Sequence, residues 1–180
     1  MPRLYGKSYS KDELRRRVGD ISQLAGISSF ELREGAERGV RALEFYTGSG
    51  LRFTVLADRG FDIGPAEYQG APLAWRSATG ASAPSFYEKE GLGWLRGFHG
   101  GLLAGVGLVT GGAPSEDQGK QYGLHGRLSY LPARWVSYAA EWQGDDYVLW
   151  AKGKVREAAV YDEQLELTRT ITTRMGANSL

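Results

Sequence analysis

The sequence predicts a mainly β chain built on antiparallel sheet and entered through one short helix. Three observations carry this prediction. Apolar and polar side chains alternate over residues 51–57 and again over 164–173, the period of two that a half-buried strand imposes. Gly48-Ser49-Gly50, Gln69-Gly70 and Gly144-Asp145-Asp146 punctuate the apolar runs at short intervals, and such loops join antiparallel neighbours. A length of 180 residues, with 42% hydrophobic and 24% charged side chains, suffices to bury one core, so residues 1–180 are read as a single domain.

Ser10 and Glu13 match a capping box, in which the serine side chain takes a first-turn N–H and the glutamate returns to the N–H of Ser10. A short helix therefore starts at Lys11, and Gly19 can close it. Strands are predicted at 40–47 and 51–57, where Leu51, Phe53 and Val55 alternate with Arg52 and Thr54. Asp58-Arg59-Gly60 is a turn, 61–68 the next strand, and 72–75 its hairpin partner. Residues 77–120 are rich in Gly, Pro, Ser and Ala with weak periodicity; loops of that length in a compact domain are usually functional or mobile. Strands return at 125–130, 133–142, 147–155 and 164–173. In the last of these, Leu165, Leu167 and Ile171 share one face, and Glu166, Thr168, Thr170 and Thr172 the other. Residues 176–179 read as a turn, and Leu180 stands where a returning strand would begin. The expectation is the N-terminal portion of a larger sheet structure, with an unpaired edge at 164–173 that invites self-association.

Composition narrows the function classes. The 22 basic and 21 acidic residues leave a net charge of +1 and the basic ones are scattered, so no nucleic-acid partner is expected. Arg15, Arg16 and Arg17 read as a solvated helix face. The chain has no cysteine, which removes disulfides, thiolate nucleophiles and Cys-based metal sites. The N-terminal residues lack an apolar signal core, and the longest apolar run, 101–109, is too short to span a bilayer. No membrane partner is expected, and the cytoplasm is the expected compartment. Although there are 26 glycines, none falls in a GxGxxG, GxxxxGK[ST] or GxSxG pattern, so neither a phosphate cradle nor a nucleophile elbow is read. His99, His125, Glu116 and Asp117 are too dispersed for a recognisable metal-ligand spacing. No metal and no cofactor are expected.

Both histidines lie within 91–133, each followed by glycine and interleaved with Trp94, Phe98, Tyr122 and Tyr130. Aromatic faces stack on sugar rings, and glycines let a ligand approach the backbone. A small-molecule sugar is therefore the expected partner. His125, in GLHGR, reads as a residue aimed into a cleft rather than a core histidine, because a core strand has no use for glycines on each side. His99, in FHGG, fits either role. Arg96, in WLRGF, could grip vicinal hydroxyls through its planar donors. Asp58 and Asp62 read mainly as structural, Asp58 holding turn amides and pairing with Arg59. Their alternatives are sugar-hydroxyl binding and a carboxylate pair for glycoside hydrolysis.

The segments GDISQLAGI, RGVRALEFYTGSGLRFTVLADRGFDIG, GLGWLRGF with GGLL following, and YGLHGRLSYLPA resemble a family of bacterial proteins of poorly defined function, described as aldose 1-epimerase-like. That family lies in the galactose mutarotase-like superfamily. The resemblance runs from about Gly19 to the C-terminus, with DRGFDIG and GLHGR its most specific parts. It implies a large antiparallel β-sandwich that binds a sugar in a shallow cleft. It also implies anomer interconversion, in which an acid protonates the ring oxygen, a base takes the anomeric hydroxyl proton, the ring opens, the carbonyl rotates, and the ring recloses on the other face. By the same resemblance, LHGR corresponds to the first of two active-site histidines, making His125 the catalytic candidate. Arg96 corresponds to a substrate-binding arginine. Outside that correspondence, Arg127, Asp58, Asp62 and His99 are the further expected sugar contacts, although relatives need not have a histidine at the position of His99. The general acid and the glutamate base are expected beyond Leu180, so this chain alone is expected to be inactive. A carbohydrate-binding sandwich without turnover is the alternative.

Overall fold

A computed structural model describes residues 1–180. The N-terminus forms a small hairpin, β1 (Arg3–Leu4) against β2 (Lys7–Ser8), followed by α1 (Lys11–Arg15). Both halves of the capping box are made: Ser10 Oγ accepts from the Glu13 N–H at 3.2 Å, and the Glu13 carboxylate accepts from the Ser10 N–H at 2.7 Å. The helix caps at Arg16, short of Gly19, and buries only Leu14.

Five strands then form a meander: β3 (Gly26–Glu31), β4 (Arg41–Tyr46), β5 (Leu51–Leu56), β6 (Asp62–Tyr68) and β7 (Ala71–Pro72), each antiparallel to the next. The Gln69-Gly70 turn has positive φ at both positions, 51° and 81°, the twist that matches a two-residue hairpin. A long irregular segment follows, holding 3₁₀ turns at Pro84–Phe86 and Gly93–Gly97 and a small hairpin of β8 (Ser115–Asp117) and β9 (Lys120–Tyr122). The second sheet comprises β10 (Arg134–Gln143), β11 (Asp146–Ala158) and β12 (Gln164–Arg174), with β11 central.

The two sheets face each other as the predicted antiparallel sandwich. Phe45, Phe53, Val55 and Ile63 of the first meet Leu149, Ala151, Val155 and Ile171 of the second in one buried cluster. Phe45 and Phe53 stack with ring centroids 4.7 Å apart. On β12, Leu167 and Ile171 point inward while Thr168, Thr170 and Thr172 are exposed, as their alternation predicts.

The structure departs from expectation at three places. β3 is an edge strand with exposed Ser28, Ser29, Phe30 and Glu31, so it carries no alternation by which to read it. Residues 125–130 are not a strand: His125 has φ 53° and Leu128–Tyr130 coils into a 3₁₀ turn, because left-handed backbone interrupts extension. The partner of β6 stops at Pro72, and the chain then makes an isolated bridge between Arg76 and Gly100.

Candidate functional site

The Asp58-Arg59-Gly60 turn organises the region. Gly60 and Phe61 both take positive φ, reversing the chain and sending neighbouring side chains to different places. Asp58 turns outward to Arg41, accepting its backbone N–H at 2.9 Å and its guanidinium at 2.6 Å. This corrects the expected Asp58–Arg59 pair. Arg59 instead points into the protein and is fully buried. It donates to the carbonyls of Ser129 at 2.5 Å, Ser82 at 2.8 Å and Gly97 at 2.9 Å, with its guanidinium 4.2 Å from the Tyr130 ring centroid. One side chain thus ties three loops together and satisfies carbonyls that secondary structure leaves unpaired. The sequence reading missed Arg59 as an organiser; its signal was an arginine between a turn aspartate and apolar Phe61.

Asp62 is also buried, bonded to Arg169 of β12. Burial pushes its pKa up, and the Arg169 charge opposes this. Both aspartates are therefore held in ion pairs, Asp58 with Arg41 and Asp62 with Arg169.

Tyr130 donates to the Trp94 carbonyl at 2.5 Å, and Trp94 packs face to face on Phe98, ring centroids 4.7 Å apart. Trp94 and Tyr130 are almost fully buried, so these expected sugar platforms are instead the packing beneath the site. Gly97 is required here: a Cβ would lie 2.6 Å from Ser82 Oγ and 2.7 Å from the Tyr130 hydroxyl.

Upon this base stands His125, its ring 4.6 Å from Trp94 in an edge-on arrangement. The backbone N–H of Gly112 donates to His125 Nδ1 at 3.0 Å, and the His125 N–H returns to the Gly112 carbonyl at 2.8 Å. An accepting Nδ1 places the proton of the neutral ring on Nε2. His125 lines a cavity of about 810 Å³ together with Arg127, Tyr87, Tyr122, Lys120 and the carboxylates of Glu157, Asp162 and Glu163. Arg127 donates to the Ala158 carbonyl at 2.7 Å and lies 3.7 Å from both Glu157 and Glu163. Glu157, nearly fully buried, accepts from the Leu108 N–H at 2.9 Å. Lys120 pairs with Asp162 and Glu163, whose carboxylates raise its pKa above the ordinary lysine value. Such a wall of paired donors and acceptors beside tyrosine rings suits a small polyhydroxylated ligand.

Of the six residues expected to form the site, His125 and Arg127 come together at this cavity. Arg96 is exposed on the Gly93–Gly97 turn, 3.5 Å from Glu88, and is not among the lining residues. His99 is buried with neither ring nitrogen hydrogen-bonded; burial, reinforced by the Arg59 charge, lowers its pKa to about 4. Asp58 and Asp62 also lie outside the lining. Glu157 escaped the sequence reading, although it continues the inward parity of Leu149, Ala151 and Val155 on β11; a carboxylate on an apolar face was the available signal. A smaller depression of about 260 Å³ on the first sheet, between Glu44, Arg52, Glu67 and Arg76, contains no histidine.

No curated protein matches the chain. Among solved structures, the chain is similar to a Klebsiella pneumoniae subsp. pneumoniae MGH 78578 protein described as a "putative aldose 1-epimerase", with 26% identity and a TM-score of 0.77. The match covers 94% of this chain and 44% of that protein, so the chain spans less than half the length of its relative. The shared architecture is galactose mutarotase-like. Over residues 37–180 the sequence matches a family model, and the chain accordingly belongs to the family described as Domain of unknown function (DUF4432).

Proposed function

We propose that this chain contributes the sugar-binding half of an aldose 1-epimerase-like site, with His125 as its principal reactive side chain and Arg127 as a sugar-contacting residue. The observation that carries the reading is the convergence of His125 and Arg127 with tyrosine rings and paired carboxylates on one cavity, in a fold shared with the protein described as a "putative aldose 1-epimerase". Anomer exchange passes through an open-chain aldehyde, so protons must be given to the ring oxygen and removed from the anomeric hydroxyl. With Nδ1 engaged by Gly112, neutral His125 offers Nε2–H as a donor, a role that fits hydroxyl or ring-oxygen binding. The general acid and base, and with them turnover, belong in this proposal to a longer protein. Hydrolysis by Asp58 and Asp62 is disfavoured, because both carboxylates are held by arginines.

The test is sugar binding by this chain, followed by NMR over a panel of free aldoses, alongside polarimetry of freshly dissolved sugar. Binding is expected without acceleration of mutarotation. His125→Asn, chosen because asparagine tolerates left-handed backbone, is expected to weaken binding roughly ten-fold, the scale of one lost hydrogen bond, with little change in melting temperature. Unchanged affinity accompanied by a large drop in stability would make His125 a structural residue and end the proposal. Acceleration by the isolated chain, abolished in His125→Asn, would instead place both proton-transfer groups within these 180 residues.

A further inference from the structure

Lys120 and Arg127 both line the cavity of His125, and one carboxylate reaches both of them. Glu163 Oε2 lies 3.1 Å from Lys120 Nζ, and Glu163 Oε1 lies 3.7 Å from Arg127 Nη2. Each cation has one further carboxylate, Asp162 for Lys120 and Glu157 for Arg127. A third lining cation, Lys89, has its side chain 78% exposed beside Glu90, where water and salt screen it. The backbone holds Glu163 in place. It is the last residue of the β11–β12 connection; its carbonyl accepts from the Ala159 N–H at 2.8 Å, and its own N–H donates to Asp162 Oδ1 at 2.9 Å. Val160 and Tyr161, at the tip of that connection, stand in solvent, whereas the Glu163 side chain is only 16% exposed.

We propose that Glu163 sets the charge selectivity of this site: by engaging both cations at once it admits uncharged sugars and turns away sugars that carry a phosphate or carboxylate group. The inference rests on the sugar-binding reading of the cavity and adds to it the class of sugar and the residue that selects it. A hydroxyl needs no cation of its own. Arg127 spends one N–H on the Ala158 carbonyl, and a guanidinium carries five, while each carboxylate has several lone pairs. A neutral polyol can therefore accept from one and donate to the other with both ion pairs intact. An anionic group must instead displace Glu163 from Lys120 and Arg127, or lie against Glu157, Asp162 and Glu163 as a like charge. Such a juxtaposition is how a site rejects the wrong ligand.

The experiment titrates the wild-type chain, Glu163→Gln and Asp162→Asn at constant ionic strength, following backbone amide shifts by NMR. The probes are glucose and galactose, the terminal phosphate ester and the uronic acid of each, and inorganic phosphate. Wild type is expected to bind the free sugar roughly ten-fold more tightly than its charged derivatives, and to show no phosphate binding at the cavity. Glu163→Gln keeps the side chain's shape and removes its charge from both cations. It is expected to raise the affinity for the phosphate ester relative to the free sugar roughly ten-fold, and to let inorganic phosphate shift the amides of Lys120 and Arg127. Asp162→Asn removes the same charge one residue away but leaves Glu163 on both cations, and is expected to move that ratio much less. Charged sugars that bind wild type as tightly as free ones overturn the proposal, as does a ratio unmoved by Glu163→Gln or moved equally by Asp162→Asn. Inorganic phosphate separates this proposal from the reading beneath it. If no free sugar shifts the wild-type amides, the sugar reading falls, yet phosphate binding to Glu163→Gln and not to wild type still upholds Glu163 as the charge barrier; phosphate behaving alike toward both overturns it.

Discussion

At the scale of single residues, the buried charges and the buried imidazole do different work. His99 is neutral and held by packing, since neither nitrogen has a partner. Its pKa is about 4 in the folded chain against 6.5 ordinarily, so the unfolded chain takes up the proton first as pH falls. Stability is undiminished by this group above pH 6.5, declines between pH 6.5 and 4, and levels below. The loss is about 3 kcal/mol over that window. Denaturant titrations at pH 7 and pH 4.5 are expected to show a smaller stability difference in His99→Leu than in the parent; equal differences would contradict the assignment. Arg169 matters in another way. Removing it in Arg169→Met strands the buried Asp62 carboxylate, with an expected cost of about 3–5 kcal/mol in chemical denaturation. The double variant Asp62→Asn/Arg169→Met is expected to recover part of that loss.

At the scale of elements, the site depends on loops that touch backbone to backbone. A Cβ on Gly126 would lie 2.6 Å from Gly107 Cα and 3.0 Å from the Thr110 carbonyl. Gly126→Ala must therefore push the 107–110 loop off the segment that carries His125. Sugar affinity is expected to fall with only a modest change in melting temperature, a split that NMR titration and calorimetry would measure. His125 and Arg127 were legible because glycines and a histidine stand together in GLHGR. Lys120, Asp162 and Glu163 were not: they reach the cavity from the β8–β9 hairpin and the β11–β12 connection, segments whose approach depends on how the second sheet packs. Arg96 misled for a related reason, since an arginine among aromatics has the same local sequence whether its side chain enters a cleft or, as here, pairs with Glu88 on the surface.

For the whole molecule, two antiparallel sheets share one apolar interior, and the irregular segment between them in the chain is tied to the first sheet's turn through Arg59. Leu149, fully buried on β11, joins that interior. Leu149→Ala is expected to cost about 2–5 kcal/mol in urea unfolding, whereas truncation of exposed Leu165 on β12 is expected to cost far less.

The sequence by itself determined the strands β4, β5, β6, β10, β11 and β12, the helix cap, the turns at Gly48-Ser49-Gly50, Gln69-Gly70 and Gly144-Asp145-Asp146, and the family. Alternation, capping and turn chemistry are local, set by neighbours a few residues apart. It also marked 91–133 as the chemically interesting stretch, because histidine, glycine and aromatic residues concentrate there. Only the tertiary structure decided which of those residues meet. Arg59 and Asp62 lie three positions apart, yet one binds loops and the other β12. His99 and His125 have similar flanks, yet one is enclosed and the other lines a cavity. A side chain's environment is set by elements distant in sequence, and the direction each side chain takes follows from backbone angles that only the packed fold fixes.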